Sequence, residues 1–225
     1  MPQPRHATTS APRLDPIRLG PLTAGTPDLL IKKADLEGLS FSDIDTRELV
    51  ISGGIVQCCQ FTGVSAHEAD WKSARLVEST FERLNVPVVR AARGVWRDLR
   101  FDGARLGSVE AYETSWHAVQ FVACKLDFVN LRAAELLDVA FTDCIIDEID
   151  LMETTARRVA FHNTRVARLN LQHAQLEHVD LRGADVEEIN GFDGLRGATI
   201  TPTQLALLAP LFAHEHGITI QEGAN

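Results

Sequence analysis

Seven of the ten phenylalanines in this chain recur every 20 residues. A finer period of five runs through them, because every fifth residue from Leu36 to Val186 is Leu, Phe, Trp, Val, Ile or Ala at 30 of 31 positions, with Thr46 the exception. This period fits neither an α-helix, near 3.6, nor a plain strand, near 2. We therefore predict four short segments per turn, with the turns stacked. The phenylalanines form one column of that stack: Phe41, Phe61, Phe81, Phe101, Phe121, Phe141 and Phe161.

A second set of positions shares the period of five. The residues two before each member of the first set, from Ala34 to Ala184, are small or apolar. Side chains two apart in an extended segment point the same way, so each unit turns two side chains inward and three outward. None of these 62 inward positions is charged, although the chain's 24% charged fraction predicts roughly fifteen by chance. The phenylalanine column is therefore predicted to be a filled core ladder rather than a ligand channel.

The five-residue units have the pattern small residue, polar residue, then Leu or a similar residue, as in Ala34-Asp35-Leu36, Val179-Asp180-Leu181-Arg182-Gly183 and Ala184-Asp185-Val186. This pattern resembles the pentapeptide-repeat proteins. The resemblance implies an all-β fold, a right-handed quadrilateral parallel β-helix, here of about eight 20-residue coils. Some members of that family act on DNA gyrase as dimeric DNA mimics, while most have no assigned activity.

Three zones follow one another along the chain. Residues 1–29 hold six of the nine prolines and are predicted to be a disordered arm and N-terminal cap. Residues 30–190 hold the repeats, and residues 191–225 break the repeat at Gly191 and are predicted to form a helical cap. The tail also looks like the closing segment of actinobacterial members of the family.

The C-terminal zone carries helix signals. Thr201 is a predicted N-cap with Pro202 at the first helical position, and Gly217 is a predicted stop. Pro210 is expected to split the segment into two short helices. Because an open solenoid end needs covering, we expect this segment to cap the coil and to join two subunits. The candidate cap and dimer residues are Leu205, Leu208, Leu211 and Phe212.

Composition narrows the classes of function. The net charge of −9 disfavours direct nucleic-acid binding, which needs a basic surface. The sequence has neither an 18-residue apolar run nor a secretory signal pattern, so we expect no membrane partner and a cytoplasmic location. The four cysteines lack metal-type spacing, and we predict no metal, no cofactor and no catalytic residues.

The acidic side chains are uneven along the coil. Residues 101–200 carry nine basic and seventeen acidic side chains, a net of −8. Duplex DNA carries about one charge per 1.7 Å, a higher density than this excess spread over four faces. A solvated acidic face and a DNA-mimicking face both remain open. The candidate acidic interaction face consists of Asp127, Asp143, Asp147, Glu148, Asp185, Glu187 and Glu188.

These observations favour a non-enzymatic binding or scaffold protein with an unidentified protein partner. The alternative is a DNA-mimicking modulator of DNA gyrase or another topoisomerase, related in effect to quinolone resistance. A second alternative is a surface-acting enzyme, which requires a concave site that the repeat does not provide.

Overall fold

The computed structural model describes residues 8–221 as a parallel β-solenoid with four-sided coils and one short C-terminal α-helix. The predicted fold class is confirmed. The solenoid has about nine turns, one more than the repeats indicate. The additional pairing comes from two-residue strands outside the repeats: Thr23–Ala24 pairs with the first rung and Ala198–Thr199 with the last.

Two sheets run along the solenoid within the described residues. The first has twelve strands: Thr23–Ala24, Asp35–Glu37, Leu39–Ser42, Ile55–Gln57, Gln60–Thr62, Arg75–Glu82, Val95–Asp102, Ser115–Val122, Glu135–Thr142, Thr155–His162, Gln175–Asp180 and Ala198–Thr199. The second has eight strands: Asp45–Val50, Ser65–Asp70, Asn85–Arg90, Arg105–Glu110, Lys125–Asn130, Ile145–Asp150, Thr164–Asn170 and Ala184–Asn190. Short 3-10 helices span Pro27–Leu29 and Phe192–Leu195.

Each repeat residue pairs with the residue 20 positions later, as the period predicts. Phe101 pairs with Phe121 in the first sheet, and Val109 pairs with Val129 in the second. The centroids of successive phenylalanine rings lie 4.7–5.1 Å apart and their planes differ by 7–15°. This spacing is one strand separation, so the rings stack because the backbone ladder places them there.

At three of the four corners of a typical turn, one residue has a left-handed backbone conformation, with positive φ. These residues lie two positions after an inward residue, as at Asp98 with φ 53°, Asp143 with φ 54° and Glu113 with φ 56°. Within residues 8–221, nineteen residues other than glycine have positive φ, although this conformation is disfavoured for L-residues. The ladder compensates for that cost: the Asp143 N–H, for example, donates to the His162 carbonyl of the next turn at 2.9 Å.

An extended segment, residues 8–22, runs lengthwise along the solenoid and is called the strap below. The Thr9 hydroxyl contacts the Thr199 hydroxyl in the last rung, and Thr23 pairs with Leu39 in the first. About eight turns separate these rungs, roughly 38 Å at one strand spacing per turn. Fourteen residue steps reach at most about 46–50 Å, so the strap must be largely extended.

The strap differs from the sparsely packed arm that its prolines predict. The Arg13 N–H donates to Asp138 Oδ1 at 2.7 Å, and apolar side chains alternate with exposed ones along the segment. The half-buried apolar side chains recur two or three positions apart, so this proline-rich segment packs on the coil without a helix or a ladder. Residues 1–7 lie outside the described residues. The half-buried apolar side chains of the strap are Leu14, Ile17, Leu19 and Leu22.

The C-terminal end is closed by helix α1, Pro202–Glu215. The Thr201 hydroxyl accepts from the Gln204 N–H while the Gln204 side chain accepts from the Thr201 N–H, a capping box that confirms the predicted start. The helix ends at Glu215, and Gly217, with φ 66°, follows it as the predicted stop.

The expected split at Pro210 is wrong, because α1 continues through this residue. Proline costs one backbone hydrogen bond, to the carbonyl four residues earlier. That carbonyl belongs to the exposed Ala206, and water can satisfy it.

Candidate interaction surfaces

The interior of the solenoid is filled along its length. Trp71, Trp96 and Trp116 pack beside the phenylalanine column, and all three are fully buried. Ring centroids of neighbouring Trp and Phe side chains lie 5.4–5.7 Å apart. The phenylalanine column therefore has the structural role that the sequence predicts, and what the coil offers a partner is its exterior.

Most of the predicted acidic residues lie on or beside the second sheet, but basic side chains interrupt them. Glu148, Arg168 and Glu188 follow one another in a single ladder, and Arg168 Nε lies 2.9 Å from Glu148 Oε2. Arg165 NH2 lies 2.6 Å from Glu187 Oε1.

The remaining acidic residues divide into two groups. Asp127 Oδ1 lies 3.7 Å from Lys125 Nζ. Asp143, which occupies a corner column, accepts a hydrogen bond of 2.7 Å from Asn163 Nδ2 of the next turn. Asp147, Asp185 and Glu188 have no ion-pair partner within residues 8–221. The predicted face is therefore a mixed-charge ladder rather than a continuous acidic strip.

A shallow hollow lies midway along the second sheet. Its cavity volume is about 440 Å³, and its floor is Gly107, where a Cβ would lie 2.2 Å from the Pro87 carbonyl oxygen. Arg105 and Lys125 are adjacent in the ladder at its edge. Asp127 also lines the hollow, beside Lys125, so the hollow carries both signs of charge, and its described lining has no opposed pair of carboxylates for acid–base chemistry.

The strap covers one corner column and creates a buried ion pair there. Asp138 is 2% exposed, and it accepts two hydrogen bonds from Arg158, Nε to Oδ1 and NH2 to Oδ2, both at 2.6 Å. Burial acts to raise the pKa of Asp138, but the Arg158 guanidinium and the Arg13 N–H outweigh burial and hold this pKa below its usual range. The imidazole of His117 lies 3.8 Å from the same carboxylate.

Sequence reasoning missed this pair because both residues occupy outward positions. Corner residues of the other two left-handed columns are exposed or half-buried, whereas Ala118, Asp138 and Arg158 are buried. The available signal was the recurrence of apolar residues two or three positions apart along the strap, in a segment otherwise typical of disorder.

The thiols of the core behave as small apolar groups. Cys124 and Cys144 lie one turn apart in one inward column and donate to backbone carbonyls. Burial raises the pKa of Cys59. Within residues 8–221, no group of three or more His, Cys, Asp or Glu side chains is arranged to hold a metal ion.

Helix α1 divides the four predicted cap and dimer residues into two pairs. Leu208 is buried against the core, and Phe212 is half-buried with its ring centroid 4.7 Å from that of Phe192. Leu205 is 52% exposed and Leu211 39% exposed, on opposite flanks of Leu208.

Two further observations describe this end of the solenoid. Gln204 Nε2 donates to the carbonyls of Leu181 and Ala184 at 2.7 and 2.8 Å, so α1 satisfies acceptors that the last repeats leave open. Leu207, 73% exposed, is one helical turn from Leu211 and continues its exposed flank. None of the helices among the described residues is long and apolar enough to span a membrane.

Comparison with known proteins gives one family match. Residues 114–190 match the family described as "Pentapeptide repeat region". No curated protein matches the chain.

Solved structures similar to this chain include two of QnrB1, a plasmid-mediated fluoroquinolone resistance protein. A trypsin-treated form has 15% identity and a TM-score of 0.37, covering 88% of this chain and 95% of that chain. The full-length form has 12% identity and a TM-score of 0.38, and the match covers 84% of this chain and 94% of that chain. HetL, a pentapeptide-repeat protein involved in heterocyst differentiation regulation from the cyanobacterium Nostoc sp., has 12% identity and a TM-score of 0.27, covering 75% and 90%.

Proposed function

We propose that this chain, whose residues 114–190 match the pentapeptide-repeat family, is a non-enzymatic protein-binding scaffold that works as a homodimer joined at its C-terminal helices. The observation that supports a binding role is the filled interior, since the rod presents only its outer faces and ends to other molecules. Those faces carry mixed ladders of charge with interspersed apolar side chains. A protein surface of complementary charge is the partner that such faces suit.

The groups with shifted pKa values also favour structural roles over catalysis. A catalytic group combines a shifted pKa with a cleft that holds substrate. Here the pKa of Asp138 is lowered within a buried ion pair beneath the strap, and the pKa of Asp180 is lowered within a pair with Arg182. We include a cytoplasmic location in the proposal, because the buried thiols of Cys59, Cys124 and Cys144 serve as small core groups.

The homodimer rests on the exposed leucine flank of α1. Leu207 and Leu211 are neighbours at i and i+4, and the exposed Ile218 and Ile220 follow the helix. A 14-residue helix offers a strip of only roughly 200 Å², whereas a stable interface buries about 800 Å² per partner. The dimer therefore recruits the residues after α1 as well, and we expect its dissociation constant to be micromolar.

Sedimentation over about 1–100 µM protein tests the dimer, because this range brackets a micromolar dissociation constant. We expect the wild type to pass from monomer to dimer and Leu207→Glu to stay monomeric. Ala209→Glu is the matched control, since Ala209 is exposed on the opposite flank of α1. A wild type that is monomeric throughout, or an Ala209→Glu variant that also fails to associate, refutes this interface.

The gyrase alternative has weaker support, because Arg165 and Arg168 lie within the acidic ladders. A supercoiling assay with purified DNA gyrase separates the two functions. A scaffold with another partner leaves supercoiling unchanged. Inhibition that disappears with added salt replaces our proposal with DNA mimicry.

A further inference from the structure

We propose that the corner column beneath the strap is a groove for an extended, arginine-containing peptide of a partner protein, and that the strap occupies this groove in cis. The inference deepens the proposed binding function, on which it rests, by naming a surface and the chemistry of its ligand. It concerns a different surface from the C-terminal dimer flank.

The groove is defined by contrast with its equivalents around the coil. At the corner columns containing Glu113 and Ala123, residues other than glycine are exposed. In the strap column, Ala118 is 7% exposed and Asp138 2%. Val77, outward by register and next to this column, is 3% exposed. Since the repeat is the same in all three columns, we assign this burial to the strap. The covered corners are Ala118, Asp138 and Arg158, whereas Glu78 in the same column is exposed and Asp98 is half-buried.

One of the contacts that hold the strap does not depend on its sequence. Its backbone makes one hydrogen bond to the coil within the described residues, from the Arg13 N–H to Asp138 Oδ1. Asp138 therefore recognises a peptide N–H, which any extended segment in the same register supplies. Arg158 keeps this carboxylate ionised and oriented for that purpose.

The remaining recognition is by apolar contact and charge. The half-buried Leu14 and Ile17 face the groove, and Ile17 lines a hollow together with Glu78 and Asp98. Glu78 and Asp98 lie along the column, each within 3.7 Å of Arg97. The strap's Arg18 lines the same hollow as these two acids, while Arg13 is exposed and contacts the column through its N–H to Asp138. The ligand that suits this surface is extended, carries apolar residues three positions apart, as Leu14 and Ile17 are, and is basic.

Competition with the strap regulates access to the groove. A tethered segment acts at an effective concentration of about millimolar for a short linker, and a partner sees only the fraction of molecules whose groove is open. With one backbone hydrogen bond, the strap is easier to release than any ladder strand.

Fluorescence anisotropy with a labelled peptide of residues 8–19 tests the groove in the full-length protein. Leu14→Glu with Ile17→Glu loosens the strap. The control with the same added charge is Ser10→Glu with Pro16→Glu, both at exposed positions. We expect the loosened variant to bind the peptide at least tenfold more tightly than the wild type or the control. Equal binding by all three refutes a groove that the strap competes for.

Two substitutions in one turn, each added to the loosened variant, locate the site. Ala118→Arg fills the groove, while Ala123→Arg places the same side chain at an exposed corner with similar φ, 51° against 56°. Arginine already occupies such corners at Arg83 and Arg158, so both variants can fold. We expect Ala118→Arg to abolish peptide binding and Ala123→Arg to leave it unchanged. The opposite pattern, or no effect of either, refutes the assignment.

Binding of altered peptides and measurement of the protein's oligomeric mass test the nature of the partner. Replacing both arginines of the peptide by glutamate is expected to weaken binding at least fivefold, and unchanged binding refutes the basic-ligand assignment. If the groove instead takes the strap of a second copy, the wild type forms a dimer that Ala118→Arg disrupts and Leu207→Glu does not, and our choice of partner is wrong. Loss of the Leu207-dependent dimer alone refutes only the proposed homodimer.

Discussion

The indole rings of Trp96 and Trp116 stack one turn apart in the core, with 4.6 Å between their centroids and 4° between their planes. Both Nε1 atoms are buried without a hydrogen-bond partner among the described residues. Ring stacking stabilises the pair, while each unsatisfied buried donor costs about 1–3 kcal/mol. The two tryptophans therefore fill wide layers of the core, although each leaves a buried N–H donor unsatisfied.

Trp116→Phe should be a mild change for this reason. It removes volume, but it also removes an unsatisfied donor, so we expect a loss of less than about 2 kcal/mol in the free energy of unfolding. Trp116→Ala, which leaves a full cavity, should cost about 3–5 kcal/mol. Urea denaturation measures both. Equal losses of unfolding free energy for the two variants contradict the idea that the unsatisfied indole N–H destabilises the core.

Phe101→Ala tests the inward register. Phe101 is fully buried, with ring centroids 4.7 Å away on both sides, and its truncation should cost about 3–5 kcal/mol. Phe128→Ala, at an outward and half-buried position, should cost much less. If the two denaturation midpoints fall by the same amount, the assignment of inward and outward positions is wrong.

Asp138→Asn should destabilise the protein in a pH-dependent manner. The pKa of Asp138 is lower in the folded state, so its stabilisation is present above the unfolded pKa, about 3.9, and is lost as pH falls through the folded value. We expect a loss of about 3 kcal/mol at pH 7, the lower end for breaking a buried pair because one layer of chain covers it.

Denaturation near pH 7 and near pH 3 measures this dependence, since the difference between wild type and variant should shrink at the lower pH. Asp127→Asn, at an exposed acid, is the control and should change stability little at either pH. A difference for Asp138→Asn that is constant with pH would show that the pair does not titrate as its geometry indicates.

Gln204→Ala should weaken the C-terminal closure. Its side chain completes the capping box and donates to two carbonyls of the last repeats, so we expect a loss of about 1–3 kcal/mol. Thr203→Ala, an exposed neighbour on α1, should stay within about 0.5 kcal/mol of the wild type. Hydrogen exchange at the Ala184–Asn190 strand locates the effect, and unchanged protection there argues against a capping role.

The solenoid was predictable because its period repeats the same physical rule many times. Two uncharged inward positions in every five specify which side chains lie in the core. The 20-residue period specifies which residues of neighbouring turns stack on one another. Phe101 therefore stacks on Phe121 as expected. The helix start at Thr201 and its end at Gly217 were predictable for a similar reason, because capping is local chemistry.

The strap and the pair that it buries were not predictable by that rule. Composition describes how residues 8–22 behave alone, while their packing depends on a surface that exists only after the coil forms. Asp138 and Arg158 lie at outward positions, where the repeat predicts exposure. The continuity of α1 through Pro210 likewise depends on a solvent-exposed carbonyl at Ala206, which the sequence does not show.

The strap changes how such a rod can come apart. In a stack where each turn contacts only its neighbours, either end can fray one turn at a time without affecting the other. Here one segment contacts Thr199 at one end and leads into the strand that pairs with Leu39 at the other. Opening the last turn therefore breaks the Thr9–Thr199 contact and loosens a segment that leads into the first turn, so the two ends are linked for as long as the strap stays docked.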